Sequence, residues 1–206
     1  MLLIATVATL AASLAAATPA FQAPAAPAAS AQTPSGARSF TVDAVHSKAL
    51  FRVMHMGAGQ FWGRFNDVSG TYSFDPSNLA TAKFDITIAI ESVDSGNGDL
   101  DKHLRSPDFF AAKDFPTMTF RSTALEGASA TGGVLKGDLT MKGVTKPVTA
   151  KLEFTGMSDK GRGMKSGFEA TFTIKRSDFG ITYGVDKGAI GDEVRVTVAL
   201  EGNLAK

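Results

Sequence analysis

The sequence contains no cysteine. That excludes disulfides, thiolate nucleophiles and thiolate metal sites, and it excludes a lipid anchor attached through an N-terminal Cys. Histidine is scarce, at three residues, and none of the spacings H-x-x-x-H or H-E-x-x-H occurs, so we expect no metal site. No G-x-S-x-G nucleophile elbow and no Gly-rich phosphate loop ahead of a helix is present. His46 and Ser47 with Asp43 nearby list the members of a catalytic triad. Sequence neighbours on a strand point to opposite faces, however, so we assign no catalytic residue. An excess of charge of either sign is also missing: 21 Lys plus Arg stand against 20 Asp plus Glu, interspersed, which leaves no basic stripe for a nucleic acid.

What is present divides the chain. Met1 to Ala17 is apolar and uncharged and reads as a signal peptide, with small-x-small cleavage patterns at Ala15-Ala16-Ala17 and Ala29-Ser30-Ala31. The run is too short for a bilayer span, which takes about 20 apolar residues. No Lys or Arg precedes it, a departure from the usual pattern. Residues 18–37 form an Ala/Pro-rich linker, and residues 38–206 a single domain, which we expect to be periplasmic or secreted. Without disulfides that domain must be held by its core, and a chain of this size buries roughly two thirds of its unfolded surface.

Within 38–206 the dominant pattern is two-residue alternation, the signature of a strand with one apolar face. It runs through Ser47 to His55, Phe84 to Ser92, Val148 to Phe154, Phe168 to Arg176 and Val194 to Leu200. Weaker versions run through Thr117 to Ser122 and Leu135 to Met141. Phe61 to Phe74 alternates but changes phase, which predicts a bulge near Asn66-Asp67. About eight such strands, polar on one side, argue for an all-β, antiparallel sheet, either a sandwich or a closed barrel. The segment from Asn97 to Lys113 breaks the pattern. We expect a short helix there, capped by Asp99 and ended before Pro107, followed by Phe109, Phe110 and Phe115, whose rings need apolar cover such as the open end of a barrel.

The inward faces carry Phe51, Val53, Phe65, Ile86, Ile88, Phe120, Leu139, Leu152, Phe172, Ile174 and Val196, with Gly63, Gly70, Gly137, Ala49 and Ala170 leaving room among them. Alternation alone leaves open whether these side chains fill a solid core or line a hollow. Two polar residues share the inward faces, His55 and Arg176. Either meets the polar head of a ligand, or each is satisfied internally. For Arg176 the favoured internal partners are Asp178, Asp94 or Asp101, and for His55 a structural hydrogen bond.

Motifs along the whole domain carry a resemblance. They include Asp43-Ala44-Val45-His46-Ser47, then Phe51-x-Val53-x-His55-Met56-Gly57 and Gly63-Arg64-Phe65. Ser92-Val93-Asp94-Ser95-Gly96, the run from Asp101 to Phe110 and Pro116-Thr117-Met118-Thr119-Phe120 follow. The longest stretch is Gly137 to Val148, and Arg176-Ser177-Asp178-Phe179-Gly180 and Ile190-Gly191-Asp192-x-Val194 close the series. In order and spacing they resemble the YceI-like, polyisoprenoid-binding family of exported proteins. The resemblance implies an eight-stranded antiparallel, lipocalin-like β-barrel with a short helix or loop near one end. It also implies that the inward residues above, with His55 and Arg176, bind a polyisoprenoid or isoprenoid quinone, with no catalytic cofactor. We allow for transient membrane contact and for a homodimer. Two other readings stand beside it. One is an exported enzyme acting on an isoprenoid head group through His55, His103 or a loop carboxylate. The other is a solid structural barrel that meets a membrane or partner through Phe109 and Phe110.

Overall fold

A computed structural model describes residues 36–206. The signal peptide and nearly all of the linker expected from the sequence lie outside the described residues. Eleven strands and one helix follow in order: β1 Arg38–Val42, β2 Lys48–His55, β3 Gly59–Phe65, β4 Val68–Asp75, β5 Asn78–Ala89, β6 Val93–Asp94, α1 Gly98–Arg105, β7 Thr117–Ser129, β8 Gly132–Met141, β9 Val144–Ser158, β10 Lys165–Lys175 and β11 Ile190–Leu204.

The eleven segments make eight rows. β1 and β2 both lie antiparallel to β11, one after the other, so they are a single row broken at 43–47. β3 and β4 form a second broken row, pairing with β2 and β1 respectively. The remaining rows are β5 with β6, which pair with β4 and β3 respectively, then β7, β8, β9, β10 and β11, each antiparallel to the next, and β11 returns to β1 and β2 to close an eight-stranded barrel. Closure removes the sheet edges that an open sheet would have to protect.

Both breaks are chemically satisfied. Between β3 and β4 the amide of Asn66 donates to the Ser92 carbonyl at 3.1 Å, and that of Asp67 to the Ser92 hydroxyl at 3.0 Å. The phase change expected at Asn66-Asp67 is this break. Between β1 and β2, buried Ser47 takes over the ladder. Its Oγ donates to the Glu201 carbonyl at 3.2 Å and accepts from the Glu201 amide at 3.0 Å. That hydroxyl therefore serves the backbone of β11 and is turned to no histidine.

One end of the barrel is solid. Phe168 stands at the centre of an aromatic cluster, with ring centroids 5.4, 5.2, 5.1 and 5.2 Å from Tyr72, Phe74, Phe84 and Phe154, and Phe40 stacks on Tyr72 and Phe74. The Tyr72 hydroxyl, buried here, donates to the Ser166 carbonyl at 2.8 Å, and burial pushes its pKa up to about 12. Edge-to-face pairs of this kind add about 0.5–1.5 kcal/mol each beyond area burial.

The helix is present and ends before Pro107, but its cap differs from expectation. The side chain of Asn97, not of Asp99, accepts from the amides of Asp99 and Leu100 at 3.0 and 3.1 Å. Asp101 instead turns back to Ser95, accepting from its amide at 2.7 Å and its hydroxyl at 2.6 Å.

Candidate functional site

Above the aromatic cluster the barrel is hollow. The cavity holds about 480 Å³, within the range of about 300–1,000 Å³ usual for small-molecule sites. Phe84 and Phe168, members of the cluster, are its floor. The wall comes from alternate residues of the strands. β2 supplies Phe51, Val53 and His55, and β3 Phe65. β5 contributes Ile86 and Ile88, β7 Phe120, β8 Leu139, β9 Leu152, β10 Phe172 and Ile174, and β11 Val196. Arg176, just past β10, completes the set. All thirteen residues singled out from the sequence thus border one space.

The glycines do a different job from the one expected. A Cβ on Gly63 would lie 2.3 Å from the Phe51 ring, and one on Gly137 would lie 2.4 Å from the Phe120 ring and 2.5 Å from the Arg121 carbonyl oxygen. These positions accommodate neighbouring rings of the wall and do not open space for a guest. At Gly70 the added atom would meet the backbone of Asp85. Ala49 and Ala170, by contrast, do border the cavity.

A lid that alternation could not show crosses the upper end. Leu100, His103 and Leu104 of α1, with Phe109 and Phe110 after it, line the cavity from one side, and Ile181, Tyr183 and Ile190 line it from the other. The Phe110 ring meets Phe65 edge-on at 5.3 Å. Lys142 sits in the two-residue turn between β8 and β9. It ties both halves together, its Nζ donating to the Pro107 carbonyl at 2.8 Å and the Gly180 carbonyl at 3.2 Å. Phe109 is buried, so this loop does not present it to a membrane. The sequence cue for the second half of the lid was the Arg176-to-Gly180 motif, whose Phe179 is buried beside it.

Among the described residues, four polar side chains border the cavity: His55, His103, Arg176 and Tyr183. All four gather around the segment from Ile181 to Gly191. Ile190 pairs with His55, and the His103 ring meets Tyr183 and Phe109 edge-on, each at 5.0 Å. His103 Nε2 lies 3.1 Å from Asp108. Arg176 is 5% exposed and does not pair with Asp178, Asp94 or Asp101. Its Nε donates to the Gly191 carbonyl at 2.7 Å, Nη2 to Ile190 at 2.8 Å and Nη1 to Ile181 at 3.1 Å. It pins the lid segment onto the base of β11. Burial lowers its pKa, with Asp192 opposing the shift. His55 differs again from expectation: exposed at the end of β2, it borders the cavity and its ring makes no hydrogen bond among the described residues.

One cluster outside the cavity has metal-like spacing. One ligand atom each from Asp43, His46 and Glu201 lies within 4.8 Å of the others. The ammonium of Lys165 already serves both carboxylates, at 3.3 Å from Asp43 and 2.9 Å from Glu201, so the group is an ion-pair network closing the break between β1 and β2. The His46 hydrogen bond, first, and Lys165 hold the Asp43 carboxyl well below the usual range.

A closed antiparallel barrel, solid at one end and hollow and apolar at the other under a lid, defines a lipocalin-like barrel with a ligand-sized cavity. The chain belongs to the YceI-like domain family, whose model matches residues 40–202. It is 41% identical over 162 residues to the UPF0312 protein YE1254 of Yersinia enterocolitica, covering 78% of this chain and 83% of that protein. Among solved structures it is similar to Burkholderia cenocepacia BcnA, with TM-score 0.70 and 28% identity over 78% of this chain and 98% of that one. It also shares its fold with a polyisoprenoid-binding domain from Saccharophagus degradans, with TM-score 0.63 and 16% identity over 82% of this chain and 99% of that one.

Proposed function

We propose that this protein binds the tail of a long apolar lipid, a polyisoprenoid or an isoprenoid quinone, in the hollow half of its barrel, and carries or sequesters it in the periplasm or outside the cell. It works as a binding module and not as a catalyst. The observation that carries this is the distribution of polarity. The cavity is apolar from floor to lid, and its four polar side chains stand together at the lid segment. Each buried methylene contributes about 0.8 kcal/mol, so a tail of a few isoprene units binds firmly with no directional contact. The rim suits a neutral, oxygenated head: His55 offers a ring without a partner, while three of the Arg176 N–H groups are held by carbonyls. The apolar, uncharged start of the sequence supports export.

The test is mass spectrometry of an organic extract of the purified folded protein, with Ala170→Phe alongside. We expect an isoprenoid from the wild type, recovered chemically unchanged after incubation. Ala170 borders the hollow, so its Phe variant should release the lipid and keep the barrel folded. A wild type that yields no lipid, and takes up no added prenyl quinone, overturns the proposal.

A further inference from the structure

The β2–β3 hairpin has two faces with different surroundings. Inward, His55 and Phe61 border the cavity. Outward, Met54, Met56 and Trp62 are 37%, 65% and 52% exposed, an apolar group at the side of the cavity where the lid segment meets β2. Next to it the charges are arranged at a cost. Arg52 is paired in register with Trp62 on one side and with Arg195 of β11 on the other, all three outward. Like charges directly opposite one another on antiparallel strands are destabilising. Among the described residues neither arginine makes an ion pair. The Arg52 guanidinium lies 5.6 Å from the Trp62 ring centre, and its buried Nε has no hydrogen-bond partner.

Resting on the lipid-binding function above, we propose that this outward face is where the protein docks on an anionic lipid bilayer. Met54, Met56 and Trp62 enter the interface, and Arg52 and Arg195 together take lipid phosphates. Trp is favoured at that depth, where its ring is apolar and its N–H stays wet. Bridging phosphates relieve the Arg–Arg repulsion. A second copy of the chain is the poorer occupant: a two-fold contact on this patch would bring four arginines together. Docked in this way, the hairpin places its cavity-lining side next to the membrane from which a tail would be drawn.

Trp62 is the single tryptophan of the sequence, so its fluorescence reports on this face in the full chain. We expect vesicles of phosphatidylglycerol in phosphatidylcholine to shift its emission to the blue, and brominated lipid in them to quench it. Added salt should weaken both effects, and pure phosphatidylcholine should give much less. With each basic residue worth about fivefold at an anionic surface, R52Q/R195Q should partition about thirtyfold more weakly, while R52K/R195K retains binding. Unquenched emission in the wild type overturns the proposal. So does equal partitioning of R52Q/R195Q, or emission that follows protein concentration without vesicles, the sign of self-association. Lipid extracted from the same preparations separates the two claims. Quenching without extractable lipid removes the carrier function and keeps the docking face, and lipid without quenching does the reverse.

Discussion

Gly137 and Phe120 show how the wall is assembled at the level of single side chains. The Phe120 ring lies where a β-carbon on residue 137 would have to go, and the Arg121 carbonyl closes the space from the backbone side. Substituting Gly137 by Ala should therefore destabilise the barrel by about 1–3 kcal/mol through overpacking, read as a lowered denaturant midpoint, with little direct effect on cavity volume. Ala170→Phe acts in the opposite manner, filling free space at small cost. From sequence, Gly137 and Ala170 look alike, both small residues on an inward face. Only the third dimension shows that one is covered by a neighbour's ring and the other faces the hollow. Arg176 was illegible for a related reason. A cation on an apolar face calls for an acidic partner, but here the partners are three main-chain oxygens brought together by the lid segment.

At the scale of elements, the long strands were readable because each has one wet and one dry face, which imposes a period of two. β1 was not, since its five residues put just Phe40 and Val42 inward. The lid was half readable: aromatic residues after Pro107 signalled a need for cover, but the segment after Gly180 has no period to detect. Short elements depend on specific polar ties, and β6 is an example. Asp94 accepts from Arg64 Nε and Nη2 at 2.9 and 2.7 Å, from Asn66 at 3.1 Å and from the Gly96 amide at 2.9 Å, joining β6 to β3. Its hydrogen bond from Arg64, first among the causes, holds its pKa at about 2. An unfolded Asp titrates near 3.9, so the folded value is the depressed one. The resulting stabilisation is complete above about pH 4 and drains away as pH falls toward 2. Denaturant midpoints measured across that window should fall for the wild type and run flatter for Asp94→Asn, which starts lower at neutral pH.

Taken whole, the molecule divides its labour along the barrel axis. The cluster around Phe168, with no cysteine to assist it, supplies the packing that lets the other half stay hollow. Closure and membership of the fold class were legible from alternation and motif order together. The boundary between solid and hollow was not, because inward residues of both halves are drawn from the same apolar set: Phe84 and Ile86 are two positions apart on β5, one in the floor and the other in the wall.

That boundary is also a ruler. On the proposed lipid-binding function, two phenyl rings would set how far a tail descends before the rest of it stays at the mouth, and the depth of the well would discriminate among homologous tails by their number of carbons. Trimming the stop with Phe84→Leu should lower the end point of the scale. The tails that co-purify should then move toward longer members of the series, visible as a shift in the mass distribution of the extract.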